Sequence, residues 1–340
     1  MSWQKSLLWP LALPYGAAAH LRARAYRKGI LQQQRLPGVV VSVGNLTVGG
    51  TGKTPMVLWI AERALAEGKR VGILTRGYLG ETAAAASPDS TTAASTSDEV
   101  QLLQARLGDR VAFGVGANRF SRGMELASRG VNWFILDDGF QHLQLARDVD
   151  IVLIDATDPF GGGRVLPAGR LREPRTALER ADIVVITRSL HAPAVEAALR
   201  RDCDALIFYA RTELESVGAP FHPHLTEAGA RSRKLFAFCG IGNPAAFVAN
   251  LRDWGFQIVG HKFFSDHHRY TQAEILAIER AARVAGADGV ICTEKDSYNY
   301  RGVWKTVDLW VAAISMRVER EDDFWRAVTE RAESRGAARS

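Results

Sequence analysis

Short apolar runs alternate with polar and amphipathic stretches over roughly the first two hundred residues of the chain. Val39 to Val43 (VVVSV), Arg70 to Thr75 (RVGILT), Val131 to Leu136 (VNWFIL), Asp150 to Ile154 (DIVLI) and Asp182 to Thr187 (DIVVIT) are short and rich in β-branched residues. Each reads as a strand buried on both faces. Between the first two, Val57, Ile60, Ala61, Ala64 and Leu65 share one helical face, with Pro55 suited to the first turn and Gly68 placed to end it. A further helix is expected over Val100 to Leu107. Such alternation, continuing to about Ala210, predicts a mostly parallel sheet flanked by helices.

Periodicity fades over Thr212 to Arg233, and a smaller α/β unit is expected beyond it. Its strands are Leu235 to Cys239, Gln257 to Phe264 and Gly289 to Thr293, with a helix running to about Trp254 and another opened by a Thr271/Glu274 capping box. The expected organisation is an N-terminal segment 1–30, a first domain 31–220 and a smaller domain 221–335. Glu81 to Ser97 is almost entirely Ala, Ser and Thr, too poor in apolar surface to order itself, and reads as a mobile loop.

The strand at Val39 runs into Gly44, Gly49, Gly50 and Gly52-Lys53-Thr54 and then into a helix. Glycines let backbone N–H groups converge on phosphate oxygens, and the helix N-terminus adds a positive dipole end. Lys53 can reach the β- and γ-phosphates, and Thr54 can hold Mg²⁺. Thr47 stands where the general phosphate-loop pattern has its first glycine, so the entry to the loop must bend at Gly44 or Gly49. The strand at Val131 ends in Asp137-Asp138-Gly139, where a nucleoside triphosphatase places its second Mg²⁺ contact, and either aspartate could serve. Lys53, Asp98 and Asp138 are expected to gather at the carboxyl ends of the strands.

Other groups are open to two readings. Asp98-Glu99 at a helix start is a dipole-complementing cap or a functional pair. Arg164, Arg170, Arg172 and Arg175 form a loop suited to a phosphate-bearing group, or a solvated surface. In Ser265-Asp266-His267-His268, a position before a helix N-terminus favours neutral imidazoles. His222 and His224 have no nearby carboxylate or cysteine partner, which argues against a metal site there. Thr293-Glu294-Lys295-Asp296 departs from the guanine-reading motif, because its lysine is one place late.

With 340 residues, 47% of them hydrophobic and 24% charged, the chain can bury a large core, and its net charge of +6 suits anionic partners. Cys203, Cys239 and Cys292 are far apart and form no paired motif, which points away from a disulfide framework and toward a reducing cytosol. Leu7 to Ala19 is apolar but short, interrupted by Pro10 and Pro14, and followed by Arg22, Arg24, Arg27 and Lys28. It reads as an interfacial helix with its cations near headgroups, or as a helix packed on the protein's own core.

GNLTVGGTGKTP, DDGFQHLQLARDVDIVLID, LPAGRLREP, FCGIGNP, FFSDHHRY and TEKD, in that order between Gly44 and Asp296, closely resemble the tetraacyldisaccharide 4′-kinases of lipid A biosynthesis. The resemblance implies a P-loop NTPase-like fold with a second, smaller α/β domain. It also implies ATP-dependent phosphorylation of the 4′-hydroxyl of a tetraacylated glucosamine disaccharide 1-phosphate, at the cytoplasmic face of the inner membrane.

Carried onto this chain, Gly49, Gly50, Thr51, Gly52, Lys53 and Thr54 would bind ATP, and Thr54, Asp137, Asp138 and Glu99 would hold Mg²⁺. Asp98 would activate the acceptor with His267 as partner, and Asn45, Arg76, Gln141, His142 and Arg172 would contact the lipid disaccharide. No nucleic acid and no obligate protein partner are expected. Two departures from the family pattern stand out: Ser97 and Val100 flank the Asp-Glu pair, and Arg170 replaces a proline. The competing readings are a GTPase or metallochaperone-type switch and a nucleic-acid-dependent ATPase.

Overall fold

The computed structural model describes residues 9–77, 97–219, 226–300, 304 and 307–337. The Ala/Ser/Thr-rich stretch from Glu81, all but its last residue, and the His222/His224 pair lie outside the described residues. In chain order the strands are β1 Val39–Asn45, β2 Val71–Thr75, β3 Ala112–Val115, β4 Trp133–Asp137, β5 Val149–Asp155, β6 Ile183–Thr187, β7 Leu206–Gly218, β8 Lys234–Cys239, β9 Gln257–Phe263, β10 Gly289–Thr293 and β11 Asp308–Val318. The helices are α1 Trp9–Arg27, α2 Lys53–Ala66, α3 Asp98–Leu107, α4 Arg119–Ser128, α5 Pro193–Leu199, α6 Glu227–Arg231, α7 Pro244–Asp253, α8 Gln272–Val284, α9 Glu294–Ser297 and α10 Glu321–Ala337.

The chain forms two compact units that are not contiguous in sequence. One comprises residues 1–78, 106–212 and 316–340; the other comprises 79–105 and 213–315. These bounds differ from the expected segmentation in three places. The boundary falls at Thr212, inside the long strand β7, where a half-exposed pattern hides the strand from apolar periodicity. Residues 97–105 belong to the second unit, where Asp98 bonds to His267 and Asn299. Helix α10 returns to the first, where fully buried Phe324 meets the Trp59 and Phe208 rings at 5.2 Å each.

In the first unit the strand order is β3-β2-β4-β1-β5-β6-β7, all parallel. Strand β1 is central, between β4 and β5, and is buried throughout except at its first residue. All-parallel sheets are covered on both faces, which is why these strands read as continuous apolar runs. The phosphate loop thus begins at the carboxyl end of a central, shielded strand. Helix α1 buries the small residues Ala12, Gly16 and Ala23, with Gly16 against Val165 and Pro174, and leaves Leu11, Leu13, Tyr15 and Leu21 exposed. A narrow small-residue face thus packs on the protein, and the large apolar residues face outward. No helix among the described residues is long and apolar enough to cross a membrane.

In the second unit the order is β11-β10-β8-β9, again parallel. Helix α7 buries Phe247, Val248 and Leu251 beside Trp310, and α8 buries Ile275 and Ile278 beside Phe238, giving two separate apolar clusters. The Thr271/Glu274 capping box that opens α8 is formed as the sequence predicts.

Candidate functional site

Strand β1 ends at Asn45, and at Gly44, still paired within the strand, a Cβ would come within 2.6 Å of Phe140 Cβ and 2.7 Å of its backbone nitrogen. Gly49 and Gly52 adopt φ of 120° and 92°, a region that side chains disfavour. The loop carbonyls are held from behind. Arg172 N donates to Leu46 O (2.8 Å), Arg170 Nε to Val48 O (3.3 Å), the Arg188 guanidinium to Gly50 O (2.8 Å) and the Thr187 hydroxyl to Thr51 O (3.0 Å). Arg188 is fixed in turn by Asp155 at 2.7 Å. Helix α2 starts at Lys53, directly after Gly52, so its first-turn N–H groups border the loop.

Two buried oxygens in this loop, Asn45 Oδ1 and Thr51 Oγ1, have no hydrogen-bond partner. Orphaned buried polar atoms of this kind call for a ligand or ordered solvent. Together with the glycine backbone and the helix N-terminus, they fit a polyphosphate. The oxygen donors Thr54, Asp137 and Asp138 are of the hard type that suits Mg²⁺. Among the described residues there is no cluster of three or more His, Cys, Asp or Glu side chains able to hold a metal without other ligands.

Asp137 closes β4, 5% exposed, and accepts from the Thr75 hydroxyl at 3.3 Å. Asp138 follows with φ of 49°. Its carboxylate lies 3.5 Å from Lys53 Nζ and takes both oxygens to Arg172 at 2.8 Å. Burial raises the Asp138 pKa, but the Lys53 and Arg172 charges outweigh it and hold the carboxyl below its ordinary value. Gln141 bridges the same group, donating to Asn45 O (3.1 Å) and accepting from Arg172 (3.4 Å). His142 is depressed to about 4 by burial and by the charges of Arg119, Arg147, Arg22 and Arg76. At neutral pH it is an uncharged imidazole in a cationic field, and that field suits an anionic ligand.

The second unit holds a separate cluster. Ser97 caps α3 through its hydroxyl (Val100 N, 3.4 Å), while Asp98 directs its carboxylate to tertiary partners. Asp98 Oδ1 lies 2.8 Å from His267 Nδ1, and Oδ2 accepts from Asn299 at 2.9 Å and lies 3.6 Å from Lys295 Nζ. Asp98 is 4% exposed; burial raises its pKa, but the His267 hydrogen bond, the Lys295 charge and Asn299 bring it below the ordinary value. His267 has φ of 60° and donates its backbone N–H to Gly240 O at 3.1 Å. Its pKa is raised, chiefly by the hydrogen bond to Asp98, which is the opposite direction from the one a helix N-terminus favours. Glu99, expected at the metal, meets Lys295 at 3.5 Å.

Of the expected residues, Asn45, Lys53, Asp138, Gln141 and Arg172 therefore lie together in the first unit, and Asp98, Glu99 and His267 in the second. Arg76 is exposed just beyond β2 and bears on His142 through its charge. Sequence reasoning missed Arg188, Arg119 and Asn299, and noted Lys295 only as the displaced lysine of a guanine-reading motif. Arg188 stood directly after a predicted strand, a position that could have flagged it. Asp138, Arg188 and His267 are three of the four non-glycine residues with positive φ among those described. Such strain persists where surrounding structure over-determines it, as at binding sites.

A family model described as Tetraacyldisaccharide-1-P 4′-kinase matches residues 4–333. A relative from Geobacter metallireducens, named tetraacyldisaccharide 4′-kinase, is 42% identical over 323 residues, 91% of this chain and 92% of its own. One of the same name from Anaeromyxobacter sp. (strain K) is 41% identical over 299 residues, 84% of this chain and 78% of its own. The crystal structure of LpxK from Aquifex aeolicus, described as a complex with ATP, matches with a TM-score of 0.71 and 27% identity, covering 96% of this chain and 99% of that one. With a match over nearly its whole length and relatives above 40% identity, the chain belongs to the tetraacyldisaccharide-1-P 4′-kinase family.

Proposed function

We propose that the chain transfers the γ-phosphoryl group of ATP to the 4′-hydroxyl of a tetraacylated glucosamine disaccharide 1-phosphate, working at the cytoplasmic face of the bacterial inner membrane. The observation that carries this reading is the loop from Gly44 to Thr54, its carbonyls held outward and two buried oxygens unpartnered, with Lys53 3.5 Å from Asp138. Phosphoryl transfer asks a protein mainly for positioning and charge neutralisation. The loop amides and Lys53 do this for the β- and γ-phosphates. Thr54 with Asp137 and Asp138 would hold Mg²⁺, which supplies further neutralisation of the phosphate oxygens when bound.

In the second unit, Asp98 with His267 is the pair that accepts the proton of the acceptor hydroxyl; a carboxylate held ionised by its partners is ready to take it late in bond formation. Arg76, Asn45, Gln141, His142 and Arg172 form the polar and cationic surface for the phosphorylated disaccharide. The exposed Leu11, Leu13, Tyr15 and Leu21 of α1, followed by basic residues, suit a lipid surface. A guanine-reading role for the TEKD segment is disfavoured, because Asp296 is fully buried and already accepts from Gly240 N, Tyr270 and Thr293.

The test is incubation with γ-labelled ATP and a lipid A precursor, locating the label on the sugar. Label at the 4′-oxygen is expected; label elsewhere, or preference for GTP in competition, overturns the reading.

A further inference from the structure

The Thr293-Glu294-Lys295-Asp296 segment has no part in the function described so far, yet it is fully engaged in the second unit. Asp296 anchors it through Gly240 N (2.8 Å), the Tyr270 hydroxyl (2.8 Å) and the Thr293 hydroxyl (2.5 Å). Its neighbour Lys295 has a largely buried side chain, with Nζ 3.4 Å from Asp266 Oδ1, 3.5 Å from Glu99 Oε1 and 3.6 Å from Asp98 Oδ2. Asp266 also stands 3.8 Å from His267 Nε2. One ammonium therefore sits among three carboxylates, of which Asp98 bonds to His267 and Asp266 lies beside it.

We propose that Lys295 is a positioning residue for phosphoryl transfer, acting through Asp98. With Asn299, it occupies Oδ2 of Asp98 and leaves Oδ1 to His267 and the Glu99 backbone N–H (3.0 Å), so the carboxylate is held in one orientation. It also offsets the mutual repulsion of Asp98, Glu99 and Asp266, which would otherwise drive Asp98 off that hydrogen bond. The charge and the reach are both needed, and arginine supplies them in a different shape while methionine supplies only the stem. The inference rests on Asp98 being the acceptor-activating carboxylate.

The experiment compares Asp98→Ala, Lys295→Met, Lys295→Arg and the Asp98→Ala/Lys295→Met double variant in the full chain, using ATP and the lipid disaccharide. Lys295→Met is expected to lower kcat by about 10–100-fold while KM for ATP, and the rise in Tm on adding ATP, stay within about twofold. Lys295→Arg should recover most of the rate. In the double variant the lysine change should cost no more than about threefold beyond Asp98→Ala, the mark of residues acting as one unit.

A Lys295→Met enzyme with wild-type kcat overturns the proposal while leaving Asp98 in place. A double variant slowed by the product of the two single effects also overturns it, because the lysine then acts independently. Wild-type turnover in Asp98→Ala removes the role of Asp98 and this inference with it.

Discussion

Lys53 is the partner that, with Arg172, holds the Asp138 carboxyl below its ordinary value, and under the proposed function it is also the cation for the terminal phosphates. Lys53→Ala should therefore weaken nucleotide binding and lower kcat by roughly 10²–10³-fold, the usual cost of one preorganised electrostatic donor. Steady-state kinetics together with nucleotide titration check this, and a variant with wild-type values would detach the loop from the phosphate. His142 makes a different residue-scale prediction. Its folded pKa of about 4 lies below the ordinary 6.5, because burial and Arg119, Arg147, Arg22 and Arg76 all oppose protonation.

Between these values the unfolded chain binds the proton and the folded chain does not, so stability from this group is present above pH 6.5 and is lost as pH falls toward 4. Partial solvent access reduces the effect, leaving roughly 1–3 kcal/mol across that window. Compared with His142→Gln by urea unfolding, the wild type should lose relative stability as the pH is lowered from 6.5 to 4. A flat difference between the two would mean that the imidazole is freely solvated.

At the scale of elements, α10 shows what an apolar pattern can and cannot convey. Its first turn is acidic, Glu321-Asp322-Asp323, and Arg63 and Arg326 pair with two of those carboxylates. Phe324 and Trp325 then enter an aromatic group with Trp59, Trp133 and Phe208 in the first unit. Phe324→Ala should cost about 3–5 kcal/mol through lost transfer energy and the cavity left behind. Calorimetry would register it as a lower Tm for the first unit, although Phe324 follows the second unit in sequence. An unchanged Tm would mean that α10 is not part of that core.

The buried strands β1, β2, β4, β5 and β6 were legible because complete shielding leaves an unbroken β-branched run. Strands β7 and β11 were not, since their burial follows neither an unbroken run nor a strict alternation: the middle of β7 is half-exposed to exposed, and β11 passes from four buried residues to three half-exposed ones. The phosphate loop was legible because its backbone geometry demands glycine, which sequence records directly. Arg188 and Lys295 act through partners distant in sequence, Asp155 and Asp98 among them, and although a place after a strand could flag Arg188, no local pattern names those partners.

For the molecule as a whole, the acceptor's four acyl chains pose the problem of bringing an enzyme to a lipid rather than extracting the lipid into water, and α1 is the element proposed to meet it. Its packed face is made of Ala12, Gly16 and Ala23, so docking on the first unit does not consume Leu11, Leu13, Tyr15 or Leu21. Arg24 and Lys28 are exposed at its end and are not needed for that packing. An apolar face and a basic end make separable contributions: the first scales with buried area, the second with anionic lipid and low salt.

Arg24→Gln with Lys28→Gln should each remove about 1 kcal/mol of attraction to an anionic surface, roughly 30-fold in partitioning for the pair. Binding to zwitterionic vesicles should be unchanged, and the loss should vanish at high salt. Leu13→Ser should instead weaken binding to both kinds of vesicle, at any salt concentration. Vesicle co-sedimentation of the full chain separates these outcomes. If both sets of variants sediment like the wild type, this surface is not the membrane contact, and the acceptor must reach the enzyme by another face.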